Sequence, residues 1–298
     1  MDALTIDGTG GALARARLVI SLFKLRIGVL IMITALVGFA VTPGAAADAG
    51  TLLALALSVL AASASAGAFN QYVDFASDRL MRRTRGRAFA CGALQPHAGW
   101  LLVMALLLAG GVLLAWAAIN AMAAVHVFLG AFFYGVVYTL WLKRRTHWNI
   151  VIGGLAGSFA VLAGGAAADP TLPPMAWAFA AILFFWTPPH FWSLAIAHRA
   201  DYEAAGVPML PVVAGDARAA QIVLASTVAL VVSSAVPLGF GLGWIYALGV
   251  VAAGAFFIGR AWRLARAPSR ATAMGCFLAS LVHLSALLAC ALLDAGLR

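Results

Sequence analysis

Apolar residues along this chain come in long runs, separated by short polar stretches. Nine runs approach or exceed the ~20 residues that cross a bilayer as a helix. They are Val19–Val41, Leu52–Val73, Ala98–Ile119, Ala121–Leu140, Ile150–Ala167, Met175–Ala197, Ala219–Gly239, Trp244–Ala261 and Ala273–Leu293. The fifth is short and glycine-rich, which suits a span packed closely against its neighbours. The pattern predicts an all-α, polytopic membrane protein, with nine transmembrane helices around a central cavity that opens to the cytoplasmic side. Residues 1–298 read as one membrane-embedded domain, with 1–17 as a tail without regular structure.

Composition agrees. Of 298 residues, 64% are hydrophobic and 10% charged, and the mean hydropathy is +1.00. A soluble domain carries about 25% charged residues. The N-terminal M-D-A-L-T-I-D-G-T-G lacks the basic region of a cleavable signal, so the first apolar run reads as a retained span. Cys91, Cys276 and Cys290 lie scattered, without metal-ligand spacing, and read as packing residues rather than a disulfide framework.

The formal charge of +9 raises the question of nucleic acid, and the placement of the charge answers it. Lysines and arginines fall on one set of loops, with Arg298 the exception. The opposite loops (Thr42–Thr51, the turn at Asn120, Ala168–Pro174 and Phe240–Gly243) have none. This is a topology signal, not a nucleic-acid surface. It puts the N-terminus in the cytoplasm and the C-terminus outside, and nine spans satisfy that parity.

One polar stretch is richer than a connector requires. The second span runs out through F-N-Q-Y-V-D-F-A-S-D into R-L-M-R-R-T-R-G-R, so Asn70, Asp74 and Asp78 recur every four residues. On a helix such positions share a face. Ionisable groups at membrane depth are functional hypotheses by default. A ladder of hard oxygen donors suits Mg²⁺ shared with phosphates, and arginines grip the same phosphates through forked hydrogen bonds. The bland alternative is a pair of solvated aspartates paired with Arg79, Arg82 or Arg83. Asp201 and Glu203 faintly echo the ladder after the sixth span. Asp201 reads as a second metal anchor beside the ladder, and as an ordinary loop residue without it. Lys143, Arg144 and Arg145 read either as further topology signal or as the cations of a diphosphate mouth.

The histidines divide. His97, His126, His147 and His283 read as structural or interfacial, and His198 with Arg199 as cytoplasmic-edge residues. His190 follows Trp186-Thr187-Pro188-Pro189, where two prolines are expected to break the span and free carbonyls beside a cavity. An imidazole there can ligate a haem iron, act as a base or cap the broken helix.

Three blocks together carry a resemblance. They are N-Q-Y-V-D-F-A-S-D with M-R-R-T-R-G-R, then Y-T-L-W-L-K-R-R-T-H-W-N-I-V-I-G-G-L-A-G, then W-T-P-P-H-F-W-S-L-A-I with D-Y-E-A-A-G-V-P-M-L-P-V-V. From roughly Leu22 to Asp294 the chain resembles the haem O synthases (protohaem IX farnesyltransferases) of the intramembrane aromatic prenyltransferase superfamily. The resemblance implies a nine-helix fold and Mg²⁺-dependent transfer of the farnesyl group of farnesyl diphosphate to a vinyl group of haem B. Water then adds, and the product is haem O. It assigns metal and catalytic roles to Asn70, Asp74, Asp78 and Asp201, and diphosphate binding to Arg83, Arg87, Lys143 and Arg144. Tyr202 falls in the second acidic region, and His190 takes a haem-binding role. It also implies residence in the bilayer of the bacterial inner membrane and a haem A synthase as partner.

The chain departs from the family pattern in four places. Ala76 replaces a further aspartate, Ala88 a proline, and Ala160 and Val161 a proline pair, while a K-P-R element is here Lys24-Leu25-Arg26. Rival readings are the same chemistry on a quinone-precursor aromatic, or a haem-binding assembly or transport protein that has lost catalysis. A secondary transporter would need polar chemistry at both faces, and here it gathers at one.

Overall fold

The computed structural model describes residues 11–44 and 48–297. Among these every regular element is helical. In chain order they are α1 (Ala12–Leu22), α2 (Leu25–Val41), α3 (Ala49–Asp78), α4 (Ala98–Ala118), α5 (Ala121–Leu142) and α6 (Asn149–Ala168). Then follow α7 (Pro174–Ala197), α8 (Arg199–Ala204), α9 (Leu210–Ala214), α10 (Asp216–Phe240), α11 (Trp244–Arg266) and α12 (Arg270–Gly296). Eight are long and apolar enough to cross a membrane. The bent pair Ala16–Leu22 and Leu25–Val41, at 46°, makes nine if taken as one span.

Two expectations need correction. Helix α1 begins at Ala12, inside the stretch read as a tail; residues 1–10 and Arg298 lie outside the described residues. The prolines of W-T-P-P-H do not break their span either, since α7 is continuous from Pro174 to Ala197 with Pro188 and Pro189 inside it. Each proline removes one rung of the ladder, but the helix is held from its flanks. Most of its surface from Met175 to Ala197 is buried. Trp186 Nε1 donates to the Ser280 carbonyl at 2.8 Å, tying α7 to α12.

The spans form two bundles. One surrounds a core of small and medium residues from α2, α3, α5 and α6, including Ala35, Phe39, Leu55 and Val127. The other, around Phe179, Tyr246 and Phe257, unites α7, α10, α11 and α12. Side chains in lipid gain nothing hydrophobic by meeting, so helices associate where small residues let backbones approach. That rule is written into the α2–α6 seam. A Cβ on Gly38 would lie 2.5 Å from the Val161 carbonyl oxygen, and one on Gly164 would overlap the Ala35 carbonyl. Ala160 and Val161, where the family has prolines, leave this stretch of α6 as unbroken helix from Leu155 to Ala168.

Side chains close the helix ends. Asp48 accepts the Thr51 N–H at 2.8 Å to start α3. Asn120 caps α5 through the Ala123 N–H and donates to the Ala166 carbonyl, both at 2.8 Å. Ser269 and Thr272 form a capping box at the start of α12.

Gly164→Ala should therefore destabilise the protein by about 3 kcal/mol through overpacking. Nothing lies within 4 Å of a Cβ at Gly110, so Gly110→Ala should be neutral or slightly stabilising. Thermal unfolding in detergent, followed by size exclusion, checks the pair.

Candidate active site

The last turns of α3 carry Asn70, Asp74 and Asp78 on one face, all buried, with Asp74 wholly inaccessible. Ala76 is exposed. Two residues from Asp74 at 3.6 per turn, it sits on the other side of the helix. The substitution that separates this chain from the family pattern thus removes no oxygen from the buried face.

The ladder is satisfied by cations from three other segments. Lys143 Nζ donates to Asp74 Oδ2 in a tight buried ion pair. Arg144 Nη2 reaches Asp74 Oδ1 at 3.5 Å and Ser77 Oγ at 3.2 Å. Arg87 Nη1 pairs with Asp78 Oδ2 at 2.7 Å. Thr84 Oγ1 donates to the Asp78 carbonyl at 3.1 Å, which folds the arginine loop back onto the end of α3. Asn70 Nδ2 donates to Asp74 Oδ2 at 2.7 Å and to Thr139 Oγ1 at 3.1 Å, and Asn70 Oδ1 accepts from Lys24 Nζ at 2.6 Å.

A local distortion delivers two of these cations. Helix α5 is π-helical from Phe133 to Leu142, and the Lys143 N–H bonds to the Tyr138 carbonyl, five residues back, at 2.9 Å. Hydrogen bonding five residues back widens the coil and changes which side chains face α3: Thr139 meets Asn70, Tyr134 meets Lys24, and Lys143 and Arg144 meet Asp74. Tyr134 and Tyr138 stack with ring centroids 5.7 Å apart. Arg145 is exposed. Lys143 is buried, so it is more than a topology signal.

The second acidic region closes the mouth from the other bundle. Asp201 Oδ1 accepts the Arg82 N–H at 3.3 Å, linking α8 to the arginine loop. Tyr202 is buried, whereas Glu203 is exposed, so only part of the echo points inward. Arg83 acts electrostatically on His198. Arg83 itself is exposed at the rim. Burial holds His198 below the usual imidazole range, helped by Arg83 and opposed by Asp201. The ring approaches Asp201 at 4.0 Å.

His190 sits apart from the ladder, buried in an aromatic box. It stacks on Trp186 at 4.0 Å between centroids, with Phe277 at 4.6 Å and Phe191 at 4.8 Å. Its Nδ1 lies 2.7 Å from Ser280 Oγ, whose single proton is donated to the Phe277 carbonyl at 2.6 Å. With the Ser280 proton on the Phe277 carbonyl, Nδ1 is the N–H donor and the lone pair is on Nε2; with that proton turned to Nδ1, the reverse holds. The other histidines are structural where they are partnered: His97 accepts the Gly99 N–H at the start of α4, and His126 bonds to the Met122 carbonyl.

No three His, Cys, Asp or Glu side chains converge on one point among the described residues. Asp201 is not gathered with Asp74 and Asp78. The donor set on α3 is nevertheless of hard oxygens, which fits Mg²⁺ shared with a phosphate ligand. Four cations, Lys24, Lys143, Arg144 and Arg87, stand against the two carboxylates. Lys24 was legible in the sequence as a basic residue near the first span, in the place of a K-P-R element of the family pattern. Tyr134 and Thr139 gave no signal, because only the π-turn brings them inward.

The chain matches the model of the UbiA prenyltransferase family over residues 31–286. It belongs to that family. It is 51% identical over 281 residues to a protein named protoheme IX farnesyltransferase 2 from Paramagnetospirillum magneticum, covering 94% of this chain and 98% of that one. In fold it resembles a solved digeranylgeranylglyceryl phosphate synthase, with a TM-score of 0.79 at 18% identity over 95% of this chain and 99% of that one. It also resembles a UbiA homologue from Archaeoglobus fulgidus solved with DMAPP and Mg²⁺, with a TM-score of 0.65 at 16% identity over 91% and 98%. The match spans the ladder, the π-helical stretch, His190 and Asp201, and begins after Lys24.

Breaking a buried ion pair from one side leaves an uncompensated charge. Lys143→Met should cost about 3 kcal/mol of stability. Adding Asp74→Asn to it should restore most of that loss, read as a double-mutant cycle of thermal unfolding.

Proposed function

We propose that this protein transfers the farnesyl group of farnesyl diphosphate to a vinyl group of haem B, giving haem O. It does so at the cytoplasmic face of a bacterial inner membrane, with its N-terminus in the cytoplasm, its C-terminus outside and residues 1–298 acting as a single domain. A haem A synthase is the natural consumer of the product. The observation that carries this reading is the pair of buried carboxylates, Asp74 and Asp78, each held by cations at the mouth of an apolar bundle. The name of the 51% identical relative supports the acceptor.

The resting ion pairs define what the residues do. Asp74, Asp78 and the Asn70 oxygen would hold Mg²⁺, with Asp201 as the anchor from the second bundle. Bound there, Mg²⁺ would neutralise the diphosphate as it leaves. Lys143, Arg144, Arg87 and Arg83, released from carboxylates or reaching in from the rim, would take up the diphosphate oxygens. Their placement before the reaction is what makes the stabilisation effective, since no groups need reorganise as charge develops. The stacked rings of Tyr134 and Tyr138 wall the site and exclude water from the allylic cation until the vinyl carbon captures it. His190 is the residue assigned to haem.

Purified protein given haem B, farnesyl diphosphate and Mg²⁺ should yield a product at the mass of haem O, lost on adding EDTA. Asp74→Asn and Asp78→Asn should each lower turnover by about a hundred-fold or more while the protein still purifies folded. A folded wild-type protein that binds haem and makes no product would overturn the assignment.

A further inference from the structure

The hairpin that joins α11 to α12 carries charge that nothing in the fold answers. Arg260, Arg263 and Arg266 lie in the last turns of α11, and Arg270 opens α12. From Ala217 to Leu293 the chain has no aspartate or glutamate. Other basic segments differ: Arg87, Lys143, Arg144 and Arg199 each meet a carboxylate. Among the described residues, no side chain or carbonyl accepts a hydrogen bond from the four guanidinium groups of this hairpin. Like charges three residues apart on a helix repel, and Arg260, Arg263 and Arg266 take that step twice. Such an arrangement calls for an anion from outside the chain.

The geometry says what kind of anion. Arg260 stands 5.2 Å from the centroid of Phe256, and Arg266 stands 5.0 Å from that of Trp262. Helix α11 runs toward the side of the mouth, since Arg270, just past its end, acts electrostatically on His198 at the end of α7. Each ring therefore lies one turn deeper in the membrane than its guanidinium. Both rings are exposed, and an exposed ring on a span faces acyl chains. Arg260 turns toward α12: a Cβ at Gly275 would lie 3.9 Å from its Nη1, so this half-buried guanidinium rests in the cleft between the two helices. From Arg260 to Arg266 the cations cover about 9 Å along the axis, close to the depth of one headgroup layer. Apolar rings below and cations above is how amphipathic side chains settle at a membrane interface.

We infer that the α11–α12 hairpin binds an anionic phospholipid, with the phosphate held by Arg260, Arg263 and Arg266 and the acyl chains against Phe256 and Trp262. Charge complementarity selects the headgroup. A phosphate accepts forked hydrogen bonds from guanidinium groups, and a headgroup without an ammonium keeps the net negative charge that the arginines lack. The rings select a lipid over a free anion, because only a lipid brings apolar chains to the same place. The site stands on the second bundle, away from the ladder on α3, and does not depend on which acceptor the protein prenylates.

Full-length protein in a neutral detergent can be titrated with phosphatidylglycerol, and with phosphatidylcholine of the same acyl chains, while native mass spectrometry counts bound lipid. The wild type should hold phosphatidylglycerol about tenfold or more tightly than phosphatidylcholine. At about fivefold per arginine near a membrane surface, the combined Arg260→Gln, Arg263→Gln and Arg266→Gln variant should bind phosphatidylglycerol about a hundred-fold more weakly. It should also cease to distinguish the two lipids. A variant with Arg85→Gln, Arg145→Gln and Arg218→Gln, which removes as many exposed arginines from other segments, should bind as the wild type does. An equal loss in that variant, or wild-type binding of the two lipids within twofold, would overturn the site. Displacement of phosphatidylglycerol by an equal concentration of inorganic phosphate would assign the arginines to a free anion and overturn the lipid. If the triple hairpin variant does not fold, Arg263→Gln alone should cost about fivefold, and unchanged binding there would overturn the proposal.

Discussion

The Asp74–Lys143 ion pair is the interaction on which the site depends. A carboxylate with no accessible surface cannot stay ionised alone, because the desolvation cost is large unless a partner and hydrogen bonds return it. Everything near Asp74 serves that requirement. Lys143 and Arg144 supply charge, Asn70 supplies an N–H, and Thr139 fixes Asn70. These are local partners that a ligand can replace. A buried salt bridge is weak evidence of stability in its own right, and this one is better understood as a charge kept ready for exchange.

The two-bundle architecture sets where that exchange takes place. Tight glycine contacts between α2 and α6 fix the first bundle, and the α7–α12 tie through Trp186 and Ser280 fixes the second. The arginine loop crosses between them, held to α3 by Arg87 and Thr84 and to α8 by Asp201. Its loop conformation is thus fixed by polar contacts at both ends, as irregular backbone near a membrane requires.

Much of this was legible from sequence, for a physical reason. Span lengths and the four-residue spacing of Asn70, Asp74 and Asp78 are local properties, so helix count and ladder face follow directly. Arg87 lies close enough in sequence to fold back on Asp78, although Arg79, Arg82 and Arg83 were the nearer candidates for that pairing. The rest is tertiary. Whether α5 winds as α or π is decided by what it meets, and the turn that brings Thr139, Lys143 and Arg144 onto α3 has no sequence mark. The prolines at 188 and 189 suggested a break because a proline's local effect is to remove donors; burial of α7 against its neighbours overrode it. Lys24 stood in the place of a family K-P-R element, while its left-handed backbone and its contact with Asn70 are tertiary. Asp201 joins the arginine loop through the Arg82 N–H, a contact between distant segments that its sequence context did not announce.

The imbalance of four cations to two carboxylates also bears on encounter. A mouth with surplus positive charge, its outermost guanidinium at Arg144 half-exposed, projects an attractive field into the aqueous phase. An amphiphilic donor diffusing in the leaflet would be turned headgroup-first toward α3 before touching it. Such steering raises association rates and is screened over roughly 8–10 Å at physiological salt. Capture of such a donor is thereby a function of ionic strength, whereas burial of its apolar tail among helices is indifferent to it.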